Sequence, residues 1–371
     1  MNKKRILTII SFLIMIISIF IITFYDGNKS YSYVTDNDSL ISVKVYNKSS
    51  GDYVQQSSIP TGNYTLNEEL SYCEGEGIIT GYNNVTGRVT TAIKGSDKCF
   101  YYFDRLPDLL STQITEKSGQ VSSQDSTTWA IVNEGNGLRY EGKNPDNYVC
   151  FTSGCSDSEK YRIIGLFTEM VDTTGNGAAD TNKQVIKVIK NTSIGTKPYA
   201  SGNVNNWNNA SLKTYLNDTW TKPTTLAITT RYYVKGYGHA AVNAATFLNY
   251  ERNGNKISSN PNYVDTKIGV MYPSDYAFGV LASSCSRSTN LSAYNASGCY
   301  NQSWLHLGSH EWSITPDSNY NYYGFYIDAA GYVSNYNITN SYAIRPVFYM
   351  DASIAEIDSG TGSKNSPFLV S

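Results

Sequence analysis

Charge is scarce in this sequence. Only 16% of its 371 residues are Asp, Glu, Lys or Arg, and 31 acidic against 29 basic side chains leave a formal net charge of -2. No basic or acidic run follows the first few residues, so there is no stripe of the kind that neutralises phosphates, and no nucleic-acid partner is expected. Histidine is scarcer still, with only His239, His306 and His310. No C-x-x-C occurs, no histidine stands at ligand spacing from a cysteine, and H-E-x-x-H is missing, so no metal site is expected. G-x-S-x-G is missing as well, which leaves no marked nucleophile elbow, although a dispersed Ser/His/Asp set stays open. No internal repeat of solenoid length is visible.

Uncharged polarity fills the gap. Tyrosine alone (32) outnumbers Lys plus Arg (29), and Asn, Ser, Thr and Gly supply much of the rest. Such a composition suits an exported β-rich protein. One long apolar run exists: Ile6 to Tyr25, directly after Lys3, Lys4 and Arg5. At about 1.5 Å per residue it is long enough to span a bilayer core of about 30 Å. The basic flank favours the inside, so the remainder is expected outside. Thr23-Phe24-Tyr25-Asp26 offers no small-residue cleavage pattern, which favours an uncleaved signal anchor over residues 1–29 rather than a cleaved peptide. The expected location is therefore the cell membrane, single-pass, with the C-terminal region extracellular and the membrane as a partner through this helix.

Six cysteines agree with export, and they fall as three local pairs: Cys73 and Cys99, Cys150 and Cys155, Cys285 and Cys299. The count alone leaves connectivity open, but in an oxidising compartment structural disulfides are the expected use.

Residues 26–38 are polar and read as a stalk. Ile41, Val43 and Val45 alternate with polar neighbours, as do Val89, Thr91 and Ile93, and Cys99, Tyr101 and Phe103. This period of two predicts half-buried strands and a small β-sandwich-like domain over 30–104, with Cys73 and Cys99 joining two of them. "LPDLL" reads as a helical turn, and the Ser-, Thr- and Gln-rich stretch after it as a linker over 105–128. A second domain is expected over 129–371. There "QVIKVIKN" is a strand apolar on both faces, and "WNNASLKTYLND" is a helix capped by Asn209 or Ser211 with Leu212, Tyr215 and Leu216 on one stripe. "KIGVMYPSDYAFG" reads as a strand and a Pro-Ser-Asp turn. "YYGFYI", the turn "DAAG" and "YVSNY" form a hairpin with Tyr323, Phe325 and Ile327 on one face.

Several phrases occur together: "NPDNYVCF", "YRIIGLF", "IKVIKNTSIG", "WNNASLKTYLN", "KIGVMYPSDY", "SWLHLGSHEWSITP", "YAIRPVFYMDASI" and "GTGSKNSPF". Over residues 137–371 the chain resembles a family of uncharacterised bacterial surface proteins with a C-terminal domain of unknown function. More distantly, the order of these elements is similar to the C-type-lectin-like fold shared with formylglycine-generating enzymes. The resemblance implies an α+β fold: after the transmembrane helix and the small β-domain, a C-type-lectin-like domain with few helices and many short strands. A formylglycine-type activity needs a reactive cysteine pair in the C-terminal strands, and no cysteine follows Cys299. Cys285 and Cys299 instead sit in a Ser- and Asn-rich loop that a disulfide would tether.

The function expected is therefore non-catalytic ligand recognition or adhesion, with a glycan, a cell-wall polymer or a protein as ligand. An exported modifying enzyme or hydrolase, or a structural surface protein, are the alternatives. Tyrosine offers large contact area at low entropy cost and asparagine adaptable hydrogen bonds, so Trp312, Tyr320, Tyr322, Asn335, Tyr336 and Asn337 are the expected contact residues. His306 and His310 are four apart, but Gly308 and the local alternation favour a strand and turn over a helical metal pair. Asp172, Asn176 and Asp180 in "VDTTGNGAAD" have the oxygen chemistry of a calcium loop without its spacing, so a hairpin turn is preferred, no cofactor is expected, and calcium is the minor alternative. Arg345 before Pro346 is expected to be structural.

Overall fold

Alternating side chains become inward and outward faces once strands pair. The computed structural model describes residues 30–34, 42–48, 50–93, 98–124, 127–238, 241–254 and 261–371. The apolar run Ile6–Tyr25 and His239 lie outside these. Among the described residues no helix is long and apolar enough to cross a membrane. The chain divides into two units, residues 1–107 and 108–371, and the described residues are mostly strands with a few helices, the helices all in the second unit: a β-rich α+β chain.

In the first unit, Ser42–Asn47 lies between Asp52–Gln56 and Lys98–Arg105, and the latter also pairs with Tyr64–Leu66 and Tyr72–Glu74. A second sheet runs Ser30–Val34, Arg88–Ile93, Ile78–Asn83. Val43, Val45, Tyr101 and Phe103 from one sheet and Val89 from the other fill a single small core, where Tyr82 meets Phe103 edge-on at 4.8 Å. The hydroxyls of Thr91 and Tyr101 lie 3.0 Å apart inside it. Cys73 stands directly opposite Cys99 in register, and the two are bonded. Part of the expected stalk is in fact a strand: Ser-Tyr-Ser-Tyr-Val alternates small polar and large residues, and pairs with Arg88–Ile93.

The second unit is organised around the long antiparallel pair Tyr161–Val171 and Thr181–Lys190. From it one sheet extends through Val347–Asp351 to Ala227–Ile228 on one side, and through Gly137–Gly142, Thr127–Glu134 and Val121–Gln124 on the other. Val185 to Ile189 are all buried, as expected for a strand apolar on both faces. A five-stranded sheet runs Thr196–Pro198, Ser341–Ala343, Glu311–Pro316, Tyr323–Ile327, Val333–Asn337. The disulfides Cys150–Cys155 and Cys285–Cys299 both lie here.

Three expectations are corrected. Residues 105–128 are not a linker: Leu110–Glu116 is a helix that buries Leu110 and Ile114, and Val121–Gln124 is a sheet strand. Two apolar side chains at i and i+4 suffice for one helical stripe, and the polar residues around them masked it. "PSDYAF" is a helix, Pro273–Phe278, with proline at its permissive first position and the Asp275 carboxylate accepting from the Tyr272 N–H at 3.0 Å. The helical stretch from Ser211 is not capped by Asn209 or Ser211. Asn206 caps the turn Trp207–Asn209 instead, accepting from the Asn208 N–H at 3.0 Å. A further helix, Ala244–Asn253, was not expected, although Asn243 caps it by accepting from the Thr246 N–H at 2.9 Å.

Candidate functional site

The sequence "PDSNYNYYG" carries its own turn chemistry. Asp317 is fully buried, and its Oδ1 accepts from the backbone N–H groups of Asn319 at 2.6 Å and Tyr320 at 3.1 Å. This is a short acidic side chain folding the chain back on itself. Asn205, also fully buried, then fixes the loop from outside it. Its side-chain amide donates to the carbonyls of Asp317 at 2.8 Å and Tyr323 at 2.6 Å, and its backbone N–H to that of Asn321 at 2.6 Å. Asn335 donates to the second Asp317 oxygen. The loop between Pro316 and Tyr323 is therefore ordered before anything binds it.

On this frame stand Tyr320, Tyr322 and Tyr336, exposed to 48%, 37% and 49%. Half-buried Tyr323 knits them together: its ring centroid is 5.4 Å from Tyr320, 4.7 Å from Tyr322 and 6.2 Å from Tyr336, to which it is nearly parallel. Four neighbouring rings thus form one aromatic surface fringed by amides.

Of the six expected contact residues, three share this surface. Asn335 is beneath it, as a brace. Asn337 is half-buried, and its Oδ1 accepts from both the N–H and the hydroxyl of Thr339, closing a turn. Trp312 is a correction: it is fully buried, its indole N–H donating to the Lys197 carbonyl at 3.1 Å, with Tyr342 at 4.6 Å. Register and strand position explain it. Trp312 lies opposite Tyr326 on the face that also carries Gly324 and its partner Tyr336; around Trp312 that face is covered by Tyr199 and Tyr342, whereas Tyr336 stands on the edge strand Val333–Asn337. Tyr323 was read only as sharing a hairpin face with Phe325 and Ile327, and Asp317 and Asn205 were not singled out from sequence; the Pro-Asp-Ser-Asn turn signature was the available signal for Asp317.

Arg345 is structural in geometry. Its guanidinium donates to both Glu311 oxygens at 2.8 Å and to the Leu305 carbonyl at 2.6 Å, with both side chains buried. In the loop "VDTTGNGAAD" the Asp172 carboxylate accepts from the N–H groups of Thr174, Gly175 and Gly177, which is a turn-forming use of its oxygens. Among the described residues no group of three His, Cys, Asp or Glu side chains is placed to hold a metal ion.

Two charged clusters inside the second unit were not foreseen. Lys187, Arg139 and Asp275 meet beneath Tyr272 and Tyr349. The signal was present as a lysine at the centre of an apolar strand. Elsewhere Arg287, on the loop closed by Cys285–Cys299, donates to Glu134 and Glu141, each at 2.6 Å. Burial pushes the Glu141 carboxyl up to about 9 against the pull of Arg287, and Glu134 adds to the push. Burial acts on Glu134 too, but Arg287 outweighs it and holds that carboxyl below its usual range.

Comparison with known proteins gives no matching family model, no curated relative and no similar solved structure. The functional reading therefore rests on geometry and chemistry.

Proposed function

We propose that this chain is a membrane-anchored extracellular binding protein that recognises a carbohydrate through Tyr320, Tyr322 and Tyr336. One observation carries the reading: three exposed tyrosine rings stand together on a loop whose backbone is already fixed by the buried Asp317 and Asn205. Pre-ordering lowers the entropy lost on binding. Ring faces stack against the C–H faces of sugars, while Asn319, Asn321 and the tyrosine hydroxyls offer hydrogen bonds at the rim. Export is supported by the three disulfides and by the basic-then-apolar N-terminus. The similarity to the C-type-lectin-like fold and to uncharacterised bacterial surface proteins belongs to the same proposal.

The test is a glycan array, which includes cell-wall polysaccharide fragments, probed with the full chain in detergent. Retention of a defined glycan class is expected. Each tyrosine-to-alanine change should weaken it by roughly 1 kcal/mol, the scale of an aromatic contact, and the triple change should abolish it. Undiminished retention by the triple variant would remove the site, and failure to retain any glycan would remove the ligand class.

A further inference from the structure

Lys187 is the third-last residue before the end of a buried run on strand Thr181–Lys190, and only 2% of its side chain is exposed. Its Nζ lies 2.5 Å from Oδ2 of Asp275, itself 2% exposed and 88 residues away on the helix Pro273–Phe278. The other Asp275 oxygen, Oδ1, accepts from Nη1 of Arg139 at 3.1 Å. The Tyr272 and Tyr349 rings wall the amine, with centroids 4.4 and 5.3 Å from Nζ. The space left among these groups is about 10 Å³, enough for one water at most. An amine and a carboxyl are thus held in contact in a nearly dry interior, and one carboxyl oxygen already faces a guanidinium.

We propose that Lys187 and Asp275 form an intramolecular isopeptide crosslink. The Nζ lone pair attacks Cγ of Asp275 and a C–N bond forms. The Cγ–Oδ2 bond breaks, and Oδ2 leaves as water with one proton from the amine and one from Glu251. Oδ1 stays as the amide oxygen. In the tetrahedral intermediate it carries the negative charge toward Arg139, the arrangement that stabilises an oxyanion. No oxidant, reductant or cofactor enters.

The surrounding charges balance on both sides of this step. Glu251 is bonded to the residue before Asp275: its carboxyl accepts from the N–H of Ser274 at 2.9 Å and from its hydroxyl at 2.5 Å. Burial pushes Glu251 up to about 8 and pushes the Lys187 amine down, and the state that reacts is the one with the proton on the acid and the amine neutral. Burial opposes the Asp275 carboxylate, but Lys187 and Arg139 outweigh it, and in the reactive state, with the amine neutral, Arg139 is the cation that stays on it. Before reaction, Arg139 and Arg252 face Asp275 and Glu169, the last paired with Arg252. Afterwards the two arginine charges are matched in number by Glu169 and the ionised Glu251. No net charge is buried at either stage, which avoids the large cost of an unpaired interior charge.

Peptide mapping of the reduced, denatured full chain decides the matter. A branched peptide joining the Lys187 and Asp275 segments is expected, lighter than their sum by one water, with no tryptic cleavage after Lys187. The two segments recovered separately at their sequence masses, with cleavage after Lys187, would overturn the crosslink. Because that reading is made on the unaltered chain, it does not depend on a variant folding. Glu251→Gln should retain the wild-type circular dichroism but yield the separate peptides; a full crosslink in this variant would overturn Glu251 as the proton source.

Discussion

Trp312 and Tyr336 lie on one face of the five-stranded sheet, on an inner and an edge strand with Tyr323–Ile327 between them. Both belong to the aromatic class that suggests a contact surface, and alternation alone does not tell which part of a face is covered. Trp312 is fully buried, whereas Tyr336 is 49% exposed. Trp312→Ala should therefore cost about 3–5 kcal/mol of unfolding free energy in chemical denaturation, as expected for an emptied aromatic site. Tyr336→Ala should change stability by less than about 0.5 kcal/mol, typical of a surface position, while weakening ligand retention. Equal stability losses in the two variants would contradict the burial of the one and the exposure of the other. The buried ionic residues were the least legible. Nothing in "QVIKVIKN" says that Lys187 meets Asp275, since the partner arrives from 88 residues away.

Among elements, strands with clear alternation were readable, as was the helical stretch from Ser211, whereas Leu110–Glu116, Ala244–Asn253 and Pro273–Phe278 were not. Ser42–Asn47, Arg88–Ile93 and Lys98–Arg105 bury Val43, Val89, Tyr101 and Phe103, the residues their period of two marks out. Leu110–Glu116 and Pro273–Phe278 are too short for helical periodicity to stand out, and the packing of Leu110, Ile114 and Phe278 against the sheet determines them. Local cysteine spacing was informative because Cys73–Cys99, the widest pair, closes a separation of only 26 residues. That bond ties Tyr72–Glu74 to Lys98–Arg105 in a unit whose buried core is small. The double change Cys73→Ser, Cys99→Ser should lower the stability of residues 30–107 by about 3–4 kcal/mol on chain-entropy grounds. Hydrogen exchange reads this directly: amides of Lys98–Arg105 should lose protection while those of Thr181–Lys190 keep theirs. Protection unchanged in both would show that the small core suffices without its crosslink.

Across the whole molecule, few charges are present and a notable share of them is inside, so stability should respond to pH through a handful of groups. Glu141 is 1% exposed on its side chain and is pushed up to about 9, mainly by burial, from an ordinary value of 4.5. Between those values the folded state holds a proton that the unfolded chain has released. Stability contributed by this group is thus present below about 4.5 and is lost as the pH rises through about 9. Glu134, held below its usual range mainly because Arg287 outweighs burial, acts in the opposite sense and weakens the fold as the pH falls. Arg287 touches both carboxylates, so the pair titrates as one unit around the disulfide-closed loop. Replacing Glu141 by glutamine keeps the shape and removes the ionisation. The variant should therefore gain on the wild type by up to about 1.4 kcal/mol per pH unit between about pH 5 and pH 9, one proton's worth of linkage. Urea denaturation across that range measures the difference. A constant offset between the two proteins would mean that Glu141 ionises in the folded state as readily as in the unfolded chain, and that Arg287 carries the full charge of both neighbours at neutral pH.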